Sequence, residues 1–333
     1  MVHRLFWHLV NRLPLPSMRT QRTIGAAVVL SQALISVTGA VVRVTASGLG
    51  CPTWPQCFPG SYTPVPHAEV PIIHQAVEFG NRLITFAVVA TALLAVLAVS
   101  RAHRRREVLI YAWLMPASTV LQAVIGGITV RTGLLWWTVA VHLLISMAMV
   151  WLSTLLYVKI GQPDPVDPRL ATAVPNTPAP LRHLTVLSAV LLSATLITGT
   201  LVTGAGPHAG DKSPQRVVPR LQVEVVTLAH LHASTMVAYL CLLIGLGFGL
   251  RAVGSPKPVR QRITILLGAV LAQGLIGVVQ YHTGVPAALV ALHVAGAALC
   301  TAATSLLWAS MRQWPQPESF QSSLDRNREA PLL

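Results

Sequence analysis

Acidic residues are scarce, ten Asp and Glu in 333 positions, and charged residues of either sign make up only 10% of the chain. An ordinary soluble domain carries roughly 25%. With 53% hydrophobic residues and a mean hydropathy of +0.62, the chain lacks the polar surface that a water-soluble globule of this size requires, and that class is excluded. It also lacks a cleavable leader pattern: the stretch before residue 23 is basic, contains proline and is too polar for a signal-peptide core. Cysteine is limited to four, with Cys51 and Cys57 close together and Cys241 and Cys300 inside apolar runs, where they read as inert core residues.

Apolar length is what the chain has. Eight stretches, roughly 23–43, 72–99, 108–130, 136–158, 183–203, 222–250, 263–282 and 286–309, each reach the about 20 residues that cross a bilayer as a helix. The 24 Lys and Arg give a net charge of +14, which raises nucleic acid as a partner. Their placement argues otherwise. Eighteen of the 24 lie between spans on one side: four before residue 23, Arg101 and Arg104 to Arg106, Lys159, Arg169 and Arg182, Arg251, Lys257, Arg260 and Arg262, and Arg312, Arg326 and Arg328. The positive-inside rule makes that side cytoplasmic and puts both termini there. The charge is a topology signal, and no nucleic-acid partner is expected.

Connection four, Gly161 to Pro180, is rich in Pro, Thr and Ala and reads as a linker between two four-helix halves. The expected organisation is a cytoplasmic N-terminal segment (1–22), a first half (23–158), a cytoplasmic linker (159–182), a second half (183–309) and a cytoplasmic tail (310–333), polar and disordered from Gln313 onward. A shift of 151 residues superimposes Gln122 on Gln273, Gly126 on Gly277, Thr132-Gly133 on Thr283-Gly284, His142 on His293 and Asn81 on His232. At the first span the shift is 160 and places Thr38-Gly39 on Thr198-Gly199. Units with an even number of spans share orientation, so a duplication relates the halves by a pseudo-two-fold axis along the membrane normal. The predicted fold is all-α: a polytopic membrane protein of eight transmembrane helices in two such bundles.

Ionisable side chains within spans are costly and mark functional sites by default. His74, His142, His230, His232 and His293 lie in or at the edge of the even-numbered spans, all toward the outer end. Facing histidines in a helical bundle are a natural axial pair for haem iron. His230 and His232, two residues apart, point in different directions on a helix, and the repeat register favours His232, with His230 the alternative. In the first half the matching position is Asn81, a poor iron ligand, while His74, Glu78 and Asn81 share one helix face. Glu78 is the only acid well inside a span, open to a role as general acid or base or to an i,i+4 ion pair with Arg82. Arg43, Arg131 and His282 end their spans, where a guanidinium matches haem propionates or simply snorkels to the interface. Two cysteines in an outer loop favour a Cys51–Cys57 disulfide.

The stretch from Thr38 to Cys57, including Cys51-Pro-Thr-Trp-Pro-Gln-Cys57, resembles the first span and loop of haem A synthases. Gln122 to Gly133 followed by His142, and Gln273 to Gly284 followed by His293, are similar to later spans of the same family, so the likeness runs over about 23–309. The resemblance implies an oxidoreductase that converts the C8 methyl of haem O to a formyl group by successive hydroxylations. It implies haem b in the C-terminal half, ligated by His232 and His293, and substrate haem O in the N-terminal half, with His142 as ligand and Glu78 as catalytic acid/base. Membrane lipid, an electron acceptor, haem O synthase and cytochrome oxidase assembly proteins are the implied partners. The family pattern Glu-x-x-His-Arg is here Glu78-Phe-Gly-Asn81-Arg82. Either His74 replaces the missing histidine or His142 holds the substrate iron alone. A di-haem electron-transfer cytochrome without chemistry of its own is the rival, but leaves Glu78 and the unequal halves unexplained. A transporter built from parallel repeats is a lesser one.

Overall fold

An apolar run has one low-energy conformation in a bilayer, because the α-helix satisfies every backbone N–H and C=O within itself. The computed structural model describes residues 2–164, 174–175, 177–213 and 216–313. Among these it contains α1 (Val2–Arg12), α2 (Met18–Val44), α3 (Ile72–Arg101), α4 (Arg106–Arg131), α5 (Trp136–Ile160), α6 (Ala179–Ala205), α7 (Val225–Ala252), α8 (Lys257–His282) and α9 (Ala287–Ser310). α2 to α9 are the eight helices long and apolar enough to cross a membrane, and the chain is a multi-pass membrane protein. Ser17 caps α2 by accepting the Thr20 N–H, and prolines at 71, 178, 256 and 286 precede the first turns of α3, α6, α8 and α9.

Two features depart from the sequence reading. The N-terminal segment contains α1, whose Val10 is fully buried and whose Trp7 stacks on His103 at 5.7 Å. The linker and tail meet in a two-residue antiparallel pairing, Val174–Pro175 with Arg312–Gln313. Disorder is expected from Gln313 onward; Gln313 itself is ordered in that pairing, and the rest of the stretch, 314–333, lies outside the described residues, as does Arg169.

α2, α3, α4 and α5 close a ring of neighbours, as do α6, α7, α8 and α9; α2 and α5 also pack on α9, and α5 on α6. This pattern is compatible with two four-helix bundles meeting along α5 and α9, where Met147, Val150 and Ala298 are buried together. The main apolar clusters lie toward the arginine-rich end. One joins Val28, Ala92, Val96, Met115 and Leu156; the other joins Leu192, Leu243, Leu246, Leu266 and Leu307. At the opposite end, which carries a Cys51–Cys57 disulfide, the second half is loosely filled. Leu228 is the single buried residue of α7 before Tyr239, and α8 beyond Val270 and α9 before Ala298 have none.

The turns α4–α5 and α8–α9 have one shape. Gly133 and Leu134, like Gly284 and Val285, adopt positive φ of 64°, 61°, 75° and 58°. Each turn is closed by a bond from the second residue to the carbonyl five back, Leu134 to Thr129 and Val285 to Gln280, both 2.9 Å. A left-handed non-glycine residue costs about 1–2 kcal/mol. Leu134 offsets this by wedging between the halves: a Cβ on Gly48 or Gly210 would lie 2.9 or 3.0 Å from its Cδ1.

Candidate functional site

The loosely filled end of the second half brings together His232 of α7 and His293 of α9, with ring centroids 6.2 Å apart and planes 68° from parallel. His232 Nδ1 lies 3.0 Å from the Thr195 carbonyl and 3.2 Å from the Thr198 hydroxyl. A carbonyl only accepts, so Nδ1 carries the proton and Nε2 keeps its lone pair. Tethering of one ring nitrogen is how proteins orient a metal-binding histidine. Glycines give the rings room: a Cβ on Gly199 would lie 3.1 Å from His232 Cε1, and one on Gly277 3.7 Å from His293 Cε1. His293 Nδ1 is buried without a hydrogen-bond partner, so this ring, unlike that of His232, is not tethered through Nδ1. Metal–imidazole bonds of about 2 Å put two trans imidazole centroids roughly 6 Å apart, so this pair fits the two axial positions of a haem iron. His230 is exposed and turned toward Tyr281, 6.4 Å away; His232 is the residue beside His293.

The first half repeats some of these contacts and changes others. His142 of α5 lies over Gly126 of α4, with Cε1 3.5 Å from the place of a Cβ there, and its Nδ1 is again buried and unpartnered. Gln122 of α4 donates to the His142 carbonyl at 3.2 Å and to Ser146 at 2.6 Å. Thr38 of α2 donates to Asn81 Oδ1 at 2.7 Å, where its counterpart Thr198 meets His232.

The start of α3 holds the disulfide loop. His74 Nδ1 is 3.0 Å from the Ser47 hydroxyl, and fully buried Gln75 bonds Val65 and Val70. Glu78 accepts the Cys51 N–H at Oε2 and pairs with Arg82 at Oε1, both at 2.7 Å. Arg82 also donates to the carbonyls of Cys51 and Thr53, each at 3.0 Å. The i,i+4 ion pair is therefore formed, and both carboxylate oxygens of Glu78 are engaged with their surroundings. Trp54 from the same loop packs on α4, its ring 2.6 Å from where a Cβ on Gly127 would sit, beside the glycine that faces His142.

Of the span-end arginines, Arg131 is exposed, as is His282, which lies edge-on to Tyr281 at 5.3 Å. Arg43 turns inward and donates to Thr203 and His208 carbonyls at 2.6 and 2.9 Å. Arg220, which the sequence reading did not single out, donates to the same Thr203 carbonyl at 2.7 Å and keeps a buried, unpartnered Nη1. Burial pushes the Arg220 pKa below the ordinary arginine value. Its only sequence signal is membership, with Lys212 and Arg216, of a basic connection on the side where bases are few.

A family model described as COX15-CtaA, cytochrome oxidase assembly protein, matches residues 22–305. The chain is 32% identical over 108 residues to a heme A synthase of Geobacillus thermodenitrificans, covering 32% of each chain. It is 33% identical over 102 residues to that of Geobacillus kaustophilus, 30% of each. Against that of Halalkalibacterium halodurans it is 30% identical over 152 residues, 44% of this chain and 49% of the relative. The matches thus span between about a third and a half of these relatives' length.

Proposed function

Because the chain belongs to the COX15-CtaA family of cytochrome oxidase assembly proteins, we propose that it is a haem A synthase, an oxidoreductase that converts the C8 methyl of haem O to a formyl group. The observation that carries this reading is the His232–His293 pair, 6.2 Å between centroids, together with a partly matching site in the other half. His232 and His293 hold haem b as a resident cofactor, and His142 ligates the substrate haem. The porphyrin groups, when bound, supply the redox chemistry; the protein's residues bind, orient and move protons. The two sites descend from an internal duplication, with 23–158 as the substrate half and 183–309 as the cofactor half. Both termini are cytoplasmic and the haem sites lie toward the outer side of the cell membrane, following the basic residues.

Thr195 and Thr198 fix the His232 ring by its Nδ1. Glu78 is the proposed proton acceptor near the substrate, one helical turn from Asn81 on the same face of α3. Its links to Cys51 and Arg82 hold it beneath the loop, so loop position and proton transfer are coupled. Arg43 and Arg220 present guanidinium groups at the disulfide end for carboxylates such as propionates. Haem O is the substrate, and an electron acceptor takes the electrons released. A di-haem cytochrome needs neither a buried carboxylate in one half nor unequal halves. Co-expression with a haem O source, followed by extraction and mass analysis of the haems, tests the reading. Haem A or a hydroxylated haem O is expected, and unchanged haem O alone contradicts it.

A further inference from the structure

The two halves place the same pair of residues, a threonine followed by a glycine, beside unlike partners. On α6, Thr198 contacts His232 Nδ1 at 3.2 Å, and the ring fills the space over Gly199, with three ring atoms 3.1 to 3.8 Å from the place of a Cβ. On α2, Thr38 donates to Asn81 Oδ1 at 2.7 Å, and no atom lies within 4 Å of a Cβ built on Gly39. The amide is shorter than an imidazole, its oxygen is occupied by the threonine hydroxyl, and the room that a ring takes in one half stays open in the other.

His74 does not fill that room. It begins α3 seven residues before Asn81, a rise of about 10 Å, and its Nδ1 faces the Ser47 hydroxyl of the loop. The backbone there is also fixed: a Cβ on Gly50 would collide with the His74 carbonyl, so loop and helix end are in direct contact. Glu78, between the two positions, has both oxygens engaged with Cys51 and Arg82. No side chain of α3 that carries a good iron donor is thus directed to the place that His232 occupies in the second half.

We infer that the first-half site holds its haem iron through His142 alone and keeps an open coordination position on the Asn81 side, which takes a small exogenous iron ligand of the carbon monoxide class. This rests on the reading that a haem binds over His142. The second-half iron, with both axial positions filled by His232 and His293, is closed to the same ligand.

The test uses the full-length protein purified after co-expression with a haem O source, reduced with dithionite and exposed to carbon monoxide. About one of two bound haems is expected to form the complex. Asn81→His is expected to retain the haem and lose nearly all carbon monoxide binding, by supplying the second imidazole. Asn81→Ala and His74→Ala are expected to leave the binding fraction where it is, which keeps the test decisive even if Asn81→His fails to fold. A wild-type protein with two haems and no carbon monoxide complex overturns the inference while the haem reading stands. A rise in binding in His74→Ala overturns it too, by identifying His74 as the sixth ligand. If His142→Ala retains both haems with unchanged spectra, the underlying reading fails instead.

Discussion

Gly199, Gly277 and Gly39 occupy matching helical positions or matching roles, yet a methyl group added to each meets different surroundings. At Gly199 it would lie 3.1 Å from the His232 ring, at Gly277 3.7 Å from that of His293, and at Gly39 it meets nothing within 4 Å. Alanine favours a helix interior over glycine by about 1 kcal/mol. Gly39→Ala is therefore expected to keep haem content and raise thermal stability slightly. Gly199→Ala is expected to tilt the His232 ring and lower haem retention several-fold, read as haem per protein after purification. Equal haem content in the two variants would contradict the role given to the glycine. Glu78→Gln keeps an oxygen for the Cys51 N–H but removes the charge facing Arg82. It should retain haem and the loop while product haem A falls at least tenfold. Full product formation in that variant would leave Glu78 only its loop contacts. Part of this scale was legible in the residues themselves: the repeat register selects His232 over His230, and His232 is the one that lies beside His293. The Thr38–Asn81 and Arg43–Arg220 arrangements were not, because each depends on which helix faces turn toward each other.

At the scale of elements, α3 does two things with its first three turns. His74, Gln75, Glu78 and Arg82 fasten the loop from Ser47 to Val70, and Asn81 accepts the Thr38 hydroxyl of α2. The Cys51–Cys57 bridge closes a short ring within that loop, and a bridge of this length stabilises by roughly 2 kcal/mol through loop entropy. Cys51→Ser with Cys57→Ser is expected to leave the eight spans intact but to expose the loop to proteolysis at least several-fold faster. Unchanged cleavage would show that the α3 contacts suffice alone. The spans were legible from apolar length, within a few residues at most ends. Helix α1 was not, since eleven residues of mixed polarity gain their order from tertiary contact, Trp7 on His103 and Val10 in the core. The loop's attachment was also hidden, because side-chain bonds to backbone carbonyls leave no periodic trace in a sequence.

The whole molecule joins two alike scaffolds with unlike contents. Packing is tight toward the arginine-rich end of both halves and looser toward the disulfide end of the second, where His232 and His293 lie. The first half is further covered by its longer loop, with Trp54 against Gly127 and Leu134 wedged at the seam. The second half has the His232–His293 pair and no Asp or Glu within the helices α6 to α9. Asp211, its side chain 7% exposed, lies in the loop between α6 and α7 and pairs with Arg216. In the proposed function, a doubly ligated cofactor occupies the second half and a substrate that must enter and leave occupies the first. The most direct measurement is the identity of haems retained by His293→Ala and His142→Ala after co-expression with a haem O source, extracted and resolved by mass. His293→Ala is expected to lose haem b while substrate-type haem stays bound, and His142→Ala to lose substrate-type haem while haem b remains. Loss of the same haem from both variants would contradict this assignment of the two sites.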